Sequence, residues 1–171
     1  MSVFKNTEAT WQRLDYRLLL NSPIALFWNV EIFEKQVAWF QDNGYRVASF
    51  DAASWDTEST FHQDLYKTLN FPGYYGMNLN ALNDCLFDMD LLDCDGVAIA
   101  VRNYHEFSHS LPRVAQDFLD IIANNSRRNL LFGKRLVGLF QTNIADAAYA
   151  PLGAMHAIWN PEEWPNSKRG Q

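Results

Sequence analysis

The sequence lacks long hydrophobic runs and glycine-rich phosphate loops. The uncharged, largely apolar run of residues 18–30 is interrupted by Asn21, Ser22 and Pro23 and is too short to span a bilayer, so we expect no membrane segment. The eight glycines are scattered and form neither a G-x-G-x-x-G motif nor a P-loop, which leaves nucleotide binding without support.

Cysteine is equally scarce. The two cysteines, Cys85 and Cys94, lie within an apolar helical face and at the start of an apolar run, so both are predicted to be buried thiols. Because residues 1–10 do not form a signal peptide, a reducing cytoplasm is the expected compartment. A G-x-S-x-G motif is also absent, and a buried Cys85 would be a poor nucleophile, so the residues favour binding over catalysis.

Positive charge is in short supply, and negative charge is concentrated in the middle of the chain. The formal net charge is −6, and basic pairs are few, among them Arg127-Arg128 and Lys134-Arg135, which argues against direct binding to nucleic acid. Residues 45–95 hold nine acidic side chains against Arg46 and Lys67, a net charge of −7, while the remainder carries +1. An acidic region of this kind attracts a basic protein, although a merely solvated acidic surface is the open alternative.

Apolar patterning predicts an α/β fold in a single domain, residues 1–171. The run IALFW, an amphipathic helix and the run YRVASFD form a candidate βαβ unit with a right-handed crossover. A mainly parallel β-sheet packed against helices follows from the alternation of the two element types. The predicted strands are DYRLLL (15–20), IALFW (24–28), YRVASFD (45–51), GVAIAV (96–101), RLVGLFQT (135–142) and an edge strand before a closing turn within 150–164; the main predicted helices are 30–44 and 111–125.

The stretch FPGYYGMNLNALNDCLFD, residues 71–88, has an unusual polar helix face. Ser59 is predicted to cap a preceding helix that Pro72 ends, and a second helix starts near Asn78 and buries residues 79, 82, 85 and 86. This spacing leaves Asn80, Asn83 and Asp84 on or beside the open face. Tyrosine and a desolvated aspartate are strong interface anchors, but a tyrosine that closes over the core and a merely solvated helix remain the alternative.

The string HEFSH, residues 105–109, matches the H-E-x-x-H motif of zinc proteases. That motif requires a helix to place two imidazoles one turn apart. Here the string directly follows a predicted strand and precedes Pro112, which is predicted to open the next helix, so the two histidines are expected in a connecting loop. A zinc hydrolase is therefore the weaker hypothesis, and no metal or other cofactor is expected.

Residues 61–86, FHQDLYKTLNFPGYYGMNLNALNDCL, resemble the barstar family, whose members are intracellular inhibitors of a secreted guanyl-specific ribonuclease. The resemblance is carried by His-Gln in the first helix, by the Pro-x-Tyr-Tyr-Gly-x-Asn-Leu hinge and by the Ala-Leu-x-Asp-Cys-Leu helix. It covers residues 45–142 and implies a barstar-like core, with residues 1–44 and 143–171 as N- and C-terminal additions that each contribute a strand.

The resemblance also implies roles for individual residues. Asp84 matches the aspartate that takes the place of a substrate phosphate in the nuclease, Tyr74 matches an interface tyrosine, and Gly76 matches a glycine that lets the backbones approach. Three departures lie at Asn80 and Asn124, where the family has acids, and at Asn83, where it has tryptophan. Phe87 and Asp88, one turn beyond Asn83 and Asp84, replace part of what is lost.

The function implied is that of an inhibitor or immunity protein, not an enzyme, that occludes the active site of a basic ribonuclease or ribonuclease toxin. Direct nucleic acid and membrane partners are not expected. The alternative is a barstar-like adaptor that binds a protein without inhibiting it, because amides replace charged residues at the departures.

Overall fold

The computed structural model describes residues 3–89 and 93–163, which form seven α-helices around one five-stranded sheet. The helices are α1 (Glu8–Trp11), α2 (Leu14–Asn21), α3 (Val30–Asp42), α4 (Glu58–Thr68), α5 (Leu79–Phe87), α6 (Tyr104–Ser110) and α7 (Pro112–Leu130). The strands are β1 (Ile24–Phe27), β2 (Tyr45–Asp51), β3 (Gly96–Arg102), β4 (Leu136–Gln141) and β5 (Ile158–Trp159). Short 3₁₀ turns lie at Ala52–Ser54 and Pro161–Glu163.

All strand pairs are parallel, in the order β2-β3-β4-β1-β5, which confirms the predicted α/β fold. β1 pairs with β4, with Ile24 opposite Gly138, and β5 pairs with β1, with Ala25 opposite Ile158. The β2-β3-β4 sheet is therefore extended by β1 from the N-terminal addition and by β5 from the C-terminal addition, as predicted. Residues 161–163 form part of the expected closing turn; the rest of that tail lies outside the described residues.

The sheet separates two hydrophobic clusters, because successive side chains of a strand point to opposite faces. Ile24 and Leu26 of β1 join the cluster that contains the buried faces of α4, α5, α6 and α7. Ala25 and Phe27 join the cluster on the other face, with α2 and α3. The polar helix face predicted at α5 thus lies on the opposite side of the sheet from the N-terminal helices.

The predicted strand DYRLLL is wrong: these residues belong to helix α2. Leucine is a good helix former, and a short apolar run cannot by itself distinguish a strand from a buried helix segment. Asp15 decides the outcome, since its fully buried carboxylate accepts hydrogen bonds from Arg13 at 2.9 and 3.0 Å and from the Tyr45 hydroxyl at 2.7 Å. Arg135, the residue just before β4, lies 3.3 Å from the same carboxylate and so connects α2 to the start of β4.

The predicted βαβ unit is only partly correct. β1, α3 and β2 follow one another and the two strands run parallel, but β3 and β4 lie between them in the sheet. β1 pairs instead with β4, where Ile24 and Phe140 lie in the same hydrophobic cluster. The connection therefore crosses two strands and does not link neighbours.

The helix boundaries also differ from prediction in places. Thr57, and not Ser59, caps α4: its hydroxyl accepts from the Thr60 amide while the Thr60 hydroxyl accepts from the Thr57 amide, both at 3.1 Å. α4 ends at Thr68, four residues before Pro72, and Asn70 follows in the left-handed region with φ of 51°.

The expected loop at HEFSH is a helix, α6, because the sequence places Tyr104 and Phe107 three residues apart and both are fully buried. α7 begins at Pro112 as predicted but continues to Leu130, well beyond the predicted end at residue 125. In the part of the chain that the structure describes, no helix is long and apolar enough to cross a membrane.

Candidate functional site

Helix α5 begins at a well-formed cap. The Asn78 side chain accepts a hydrogen bond from the Ala81 amide at 2.9 Å and donates one to the Gly76 carbonyl at 3.0 Å. Leu82, Cys85 and Leu86 are buried against the core, as their spacing predicts. The cap and this buried face anchor the helix against the core, so its outer side chains project away from the core.

The outer side of α5 carries two neighbouring stripes. Asn80, Asp84 and, at the C-cap of the helix, Asp88 are exposed and recur every four residues, which places them in one row. Asn83 and Phe87, also four residues apart, are half-buried on the flank that meets α7. The two carboxylates therefore stand in the outermost row, one turn apart.

Asn83 is held towards α7 and does not project from the helix. Its Oδ1 accepts a hydrogen bond from Nδ2 of the fully buried Asn125 at 3.0 Å, and its own Nδ2 lies 3.4 Å from Oδ1 of Asp84. Asn83 thus connects the interior of α7 to the exposed carboxylate. Asn124, the neighbouring residue on α7, is exposed, and its side chain makes no hydrogen bond with the described residues.

The loop between α4 and α5 separates its two tyrosines. Tyr74 is 79% exposed, while Tyr75 is buried, with its hydroxyl 2.5 Å from Nδ1 of His62 and its ring stacked on Tyr66 with centroids 6.1 Å apart. Tyr75 therefore closes over the core, and Tyr74 is left free to contact a partner. Burial raises the pKa of the Tyr75 hydroxyl and lowers the pKa of His62, against a smaller opposing effect of Glu58.

Gly76 lies between Tyr74 and the cap of α5 and is exposed. A Cβ atom there would come within 3.1 Å of Nδ2 of Asn78, the same atom that bonds the Gly76 carbonyl. A side chain at this position would therefore disturb the helix cap as well as fill the space over the backbone. Met77, next in the chain, has a positive φ of 51° and is 43% exposed.

One group of neighbouring side chains was not anticipated from the sequence. The Arg128 guanidinium lies over the Phe87 ring, 3.9 Å from its centroid, and Phe132 meets the same ring edge to face at 6.0 Å. Phe132 and the preceding Leu131 are 68% and 81% exposed. The available signal was the apolar triplet Leu130-Leu131-Phe132 immediately before Gly133, where a helix is expected to end.

A cavity lies at the base of the same region, between the α4–α5 loop and the start of β2. Tyr74, Cys85 and Asp88 line it, together with Arg46 and Cys94. Burial, reinforced by the charges of Asp84 and Asp88, raises the pKa of the Cys85 thiol, which keeps it protonated and unreactive. Cys85 is buried as predicted, whereas Cys94 is half-exposed because the cavity opens beside it.

The histidines of HEFSH belong to a different part of the molecule. His105 accepts a hydrogen bond at Nδ1 from the Asn143 amide at 3.2 Å and lies 3.4 Å from Glu106, while His109 is exposed. Within residues 3–89 and 93–163, no cluster of three or more histidine, cysteine, aspartate or glutamate side chains could hold a metal ion.

The arrangement at α5 is suited to recognition of a basic surface. Exposed carboxylates accept strong charge-assisted hydrogen bonds, and an exposed tyrosine adds contact area at a low entropic cost. Asp84 and Asp88 share this surface with Tyr74, Gly76 and Asn80, and Phe87 continues it towards α7.

Comparison with known proteins identifies similar sequences. Residues 45–137 match the profile of the family described as "Barstar (barnase inhibitor)". The chain is also 38% identical over 79 residues to the protein named "Putative ribonuclease inhibitor YrdF" from Bacillus subtilis (strain 168). That match covers 45% of this chain and 81% of the length of the relative.

Proposed function

This chain belongs to the barstar family, and from that premise we propose that it inhibits a ribonuclease by binding over the active site with helix α5. The protein acts by binding and carries out no catalysis of its own. Its partner is a basic ribonuclease or ribonuclease toxin, against which it serves as an inhibitor or immunity protein in the cytoplasm.

The observation that carries the proposal is the exposed carboxylate of Asp84 on a capped helix, with Tyr74 exposed at the helix entrance. A ribonuclease active site is lined with cationic groups that bind the phosphates of RNA. A fixed carboxylate can accept their hydrogen bonds in place of a phosphate, and the partner-binding set proposed around it is Tyr74, Gly76, Asn80, Asn83, Asp84, Phe87, Asp88 and Asn124.

The amides on this surface affect which ribonuclease is bound. Asn80 and Asn124 are exposed and carry no charge, and Asn83 is engaged with Asn125. Asp84 and Asp88 are therefore the charged groups that α5 offers. A target that presents its cations along one row of this helix fits better than one that requires acids at positions 80 and 124.

The experiment is an inhibition assay with a defined panel of enzymes. The panel consists of barnase and the ribonuclease toxins encoded beside the gene of this protein, each mixed with the purified chain and with a fluorogenic RNA substrate. We expect stoichiometric loss of cleavage for at least one enzyme. Full RNA cleavage by every member of the panel in the presence of excess protein would show that the proposal is wrong.

Replacement of Asp84 tests the role of α5 directly. Asp84→Ala should weaken the complex at least about tenfold, because it removes a desolvated charge at the centre of the interface. Asp42→Ala is the matched control, since Asp42 is an exposed aspartate on α3, at the opposite face of the sheet. Titration calorimetry measures the dissociation constants. Equal values for the two variants would show that the interface does not include α5.

A protein-binding adaptor without inhibitory activity is the second candidate. The observation in its favour is that Asn83 bonds Asn125 and that Asn80 is uncharged, so α5 presents fewer charges than an active-site inhibitor can use. Affinity capture from the native host separates the two functions. Recovery of a partner that has no nuclease activity, through a surface that depends on Asp84, would favour the adaptor.

A further inference from the structure

The aromatic group at the end of α7 has an exposure that the fold itself does not explain. Leu131 and Phe132 are 81% and 68% exposed, whereas Phe107, Phe118 and Phe140 are completely buried in the core. We call the surface formed by Phe87, Arg128, Leu131 and Phe132 the aromatic shelf. Exposed apolar side chains grouped in one place mark interaction surfaces more often than isolated ones do.

The shelf is held in place by a hydrogen-bonded turn. The backbone carbonyl of Asn129 accepts from the amides of Phe132 at 3.0 Å and Lys134 at 2.9 Å, and Gly133 adopts the positive φ of 78° that such a turn requires. Because the turn is fixed before binding, Phe132 can be buried by a partner with little loss of conformational entropy.

Three contacts join the turn to α5 and the residues just after it. The side chain of the buried Asn129 lies 3.4 Å from the Leu86 carbonyl, and Nζ of Lys134 lies 3.3 Å from the carbonyl of Met89, just beyond the helix. The Phe132 ring also rests on Phe87, which is one turn beyond Asn83. The aromatic shelf is therefore continuous with the surface that α5 presents.

The charge of the shelf is opposite to that of α5. Arg128 covers Phe87, and its guanidinium forms no ion pair with a carboxylate of the described residues. The exposed row of α5 carries Asp84 and Asp88 instead. A single partner that covers both areas must present cations to α5 and an apolar group beside an anion to the shelf.

We propose that the aromatic shelf binds an apolar side chain flanked by a carboxylate on the same ribonuclease that α5 binds. This proposal rests on the proposed function and adds a second contact area to it. The apolar group of the ribonuclease packs against Phe132 and Leu131, and its carboxylate pairs with Arg128. The shelf thus selects among ribonucleases that share cationic active sites but differ in the surface beside them.

The test measures dissociation constants with the ribonuclease of the panel that the wild-type protein binds most tightly. Phe132→Ser should weaken this complex at least about fivefold, as loss of an aromatic anchor does, and Phe132→Trp should bind like the wild type because it retains the apolar area. Ile144→Ser is the matched control, since Ile144 is 48% exposed but follows the far end of β4. Thermal unfolding of each variant verifies that it is folded.

Arg128→Gln tests the carboxylate part of the proposal. It removes the charge above Phe87, so binding should weaken about threefold at low ionic strength, and the difference from wild type should disappear at about 0.5 M salt. Equal affinities of Arg128→Gln and wild type at low ionic strength would show that no carboxylate faces Arg128.

The possible results separate this proposal from the proposed function. If the wild type binds a ribonuclease and Phe132→Ser binds it equally well, the aromatic shelf is not part of the interface and only the present proposal is wrong. If the wild type binds no ribonuclease, both proposals are wrong. If Phe132→Ser abolishes self-association of the free protein and leaves ribonuclease binding unchanged, a second copy of the chain occupies the shelf and the proposal is overturned.

Discussion

At the scale of single residues, the two amides of α5 have different structural roles. Asn80 is exposed and makes no hydrogen bond with the described residues, whereas Asn83 bonds Asn125 and lies beside Asp84. The sequence places both on one polar side of the helix. Helix geometry puts position 83 about 60° around the helix from position 80, but the sequence does not show that α7 packs against this flank. That distinction depends on the position of a neighbouring helix.

Alanine substitutions should separate these roles. Asn83→Ala removes an acceptor from the buried Asn125 and should lower the free energy of unfolding by about 1 kcal/mol, while Asn80→Ala should change it by less than about 0.5 kcal/mol. Both substitutions gain the same helix propensity, so the difference between the free energies of unfolding of the two variants isolates the contact with α7. Urea denaturation midpoints measure it, and equal midpoints would contradict the assignment.

At the scale of elements, the loop between α4 and α5 orients Tyr74 by anchoring Tyr75. His62 on α4 is 1% exposed, bonds the Tyr75 hydroxyl through Nδ1 and leaves its buried Nε2 without a partner among the described residues. Protonation of His62 would place a charge in this buried site. Because burial lowers its pKa, the folded protein keeps His62 neutral at a pH where the unfolded chain binds a proton.

This difference predicts a loss of stability in mild acid. As the pH falls below about 6.5, the ordinary pKa of histidine, His62 becomes protonated in the unfolded state but stays neutral in the folded state. This difference lasts until the pH reaches the lowered pKa of His62 in the folded protein. The free energy of unfolding should fall by up to about 1.4 kcal/mol per pH unit in that window. His62→Gln should remove this dependence and His109→Gln, at an exposed histidine, should retain it; identical pH profiles of the two variants would refute the prediction.

The elements also show what the sequence could predict. α5 and α7 have a sustained apolar period, and β3 and β4 are continuous apolar runs, so their positions were predictable. The segments DYRLLL and HEFSH are too short for a period of apolar residues to be recognised in them. α2 depends on the distant partners Tyr45 and Arg135 of Asp15, and α6 depends on the burial of Tyr104 and Phe107. Contacts made across the fold determine both helices.

At the scale of the whole molecule, Asp15 attaches the N-terminal helices to the residues that match the family profile. Its carboxylate is fully buried and bonds Arg13, Tyr45 and Arg135. Burial alone would raise the pKa of Asp15, but the hydrogen bonds from Arg13 and Tyr45 outweigh it and hold the pKa below its usual value. We therefore expect residues 1–44, the core and the C-terminal strand to unfold together as one domain.

Asp15→Asn tests this expectation. Loss of the buried charge leaves two arginines and Tyr45 without their anion, which should lower the free energy of unfolding by roughly 3 kcal/mol. Fluorescence and circular dichroism should still report a single transition, and the affinity for the ribonuclease should not change, because α2 lies on the opposite side of the sheet from α5. Two separate transitions would contradict the single unit, and Asp42→Asn serves as the surface control.

In the proposed complex, α5 takes the place of an RNA phosphate in the active site of a ribonuclease. The most direct test is competition between this protein and guanosine 3′-monophosphate for the ribonuclease that it binds most tightly. We expect saturating nucleotide to weaken the binding of the wild-type protein and to have less effect on the residual binding of the Asp84→Ala variant. Equal binding of the protein in the absence and presence of the nucleotide would contradict it.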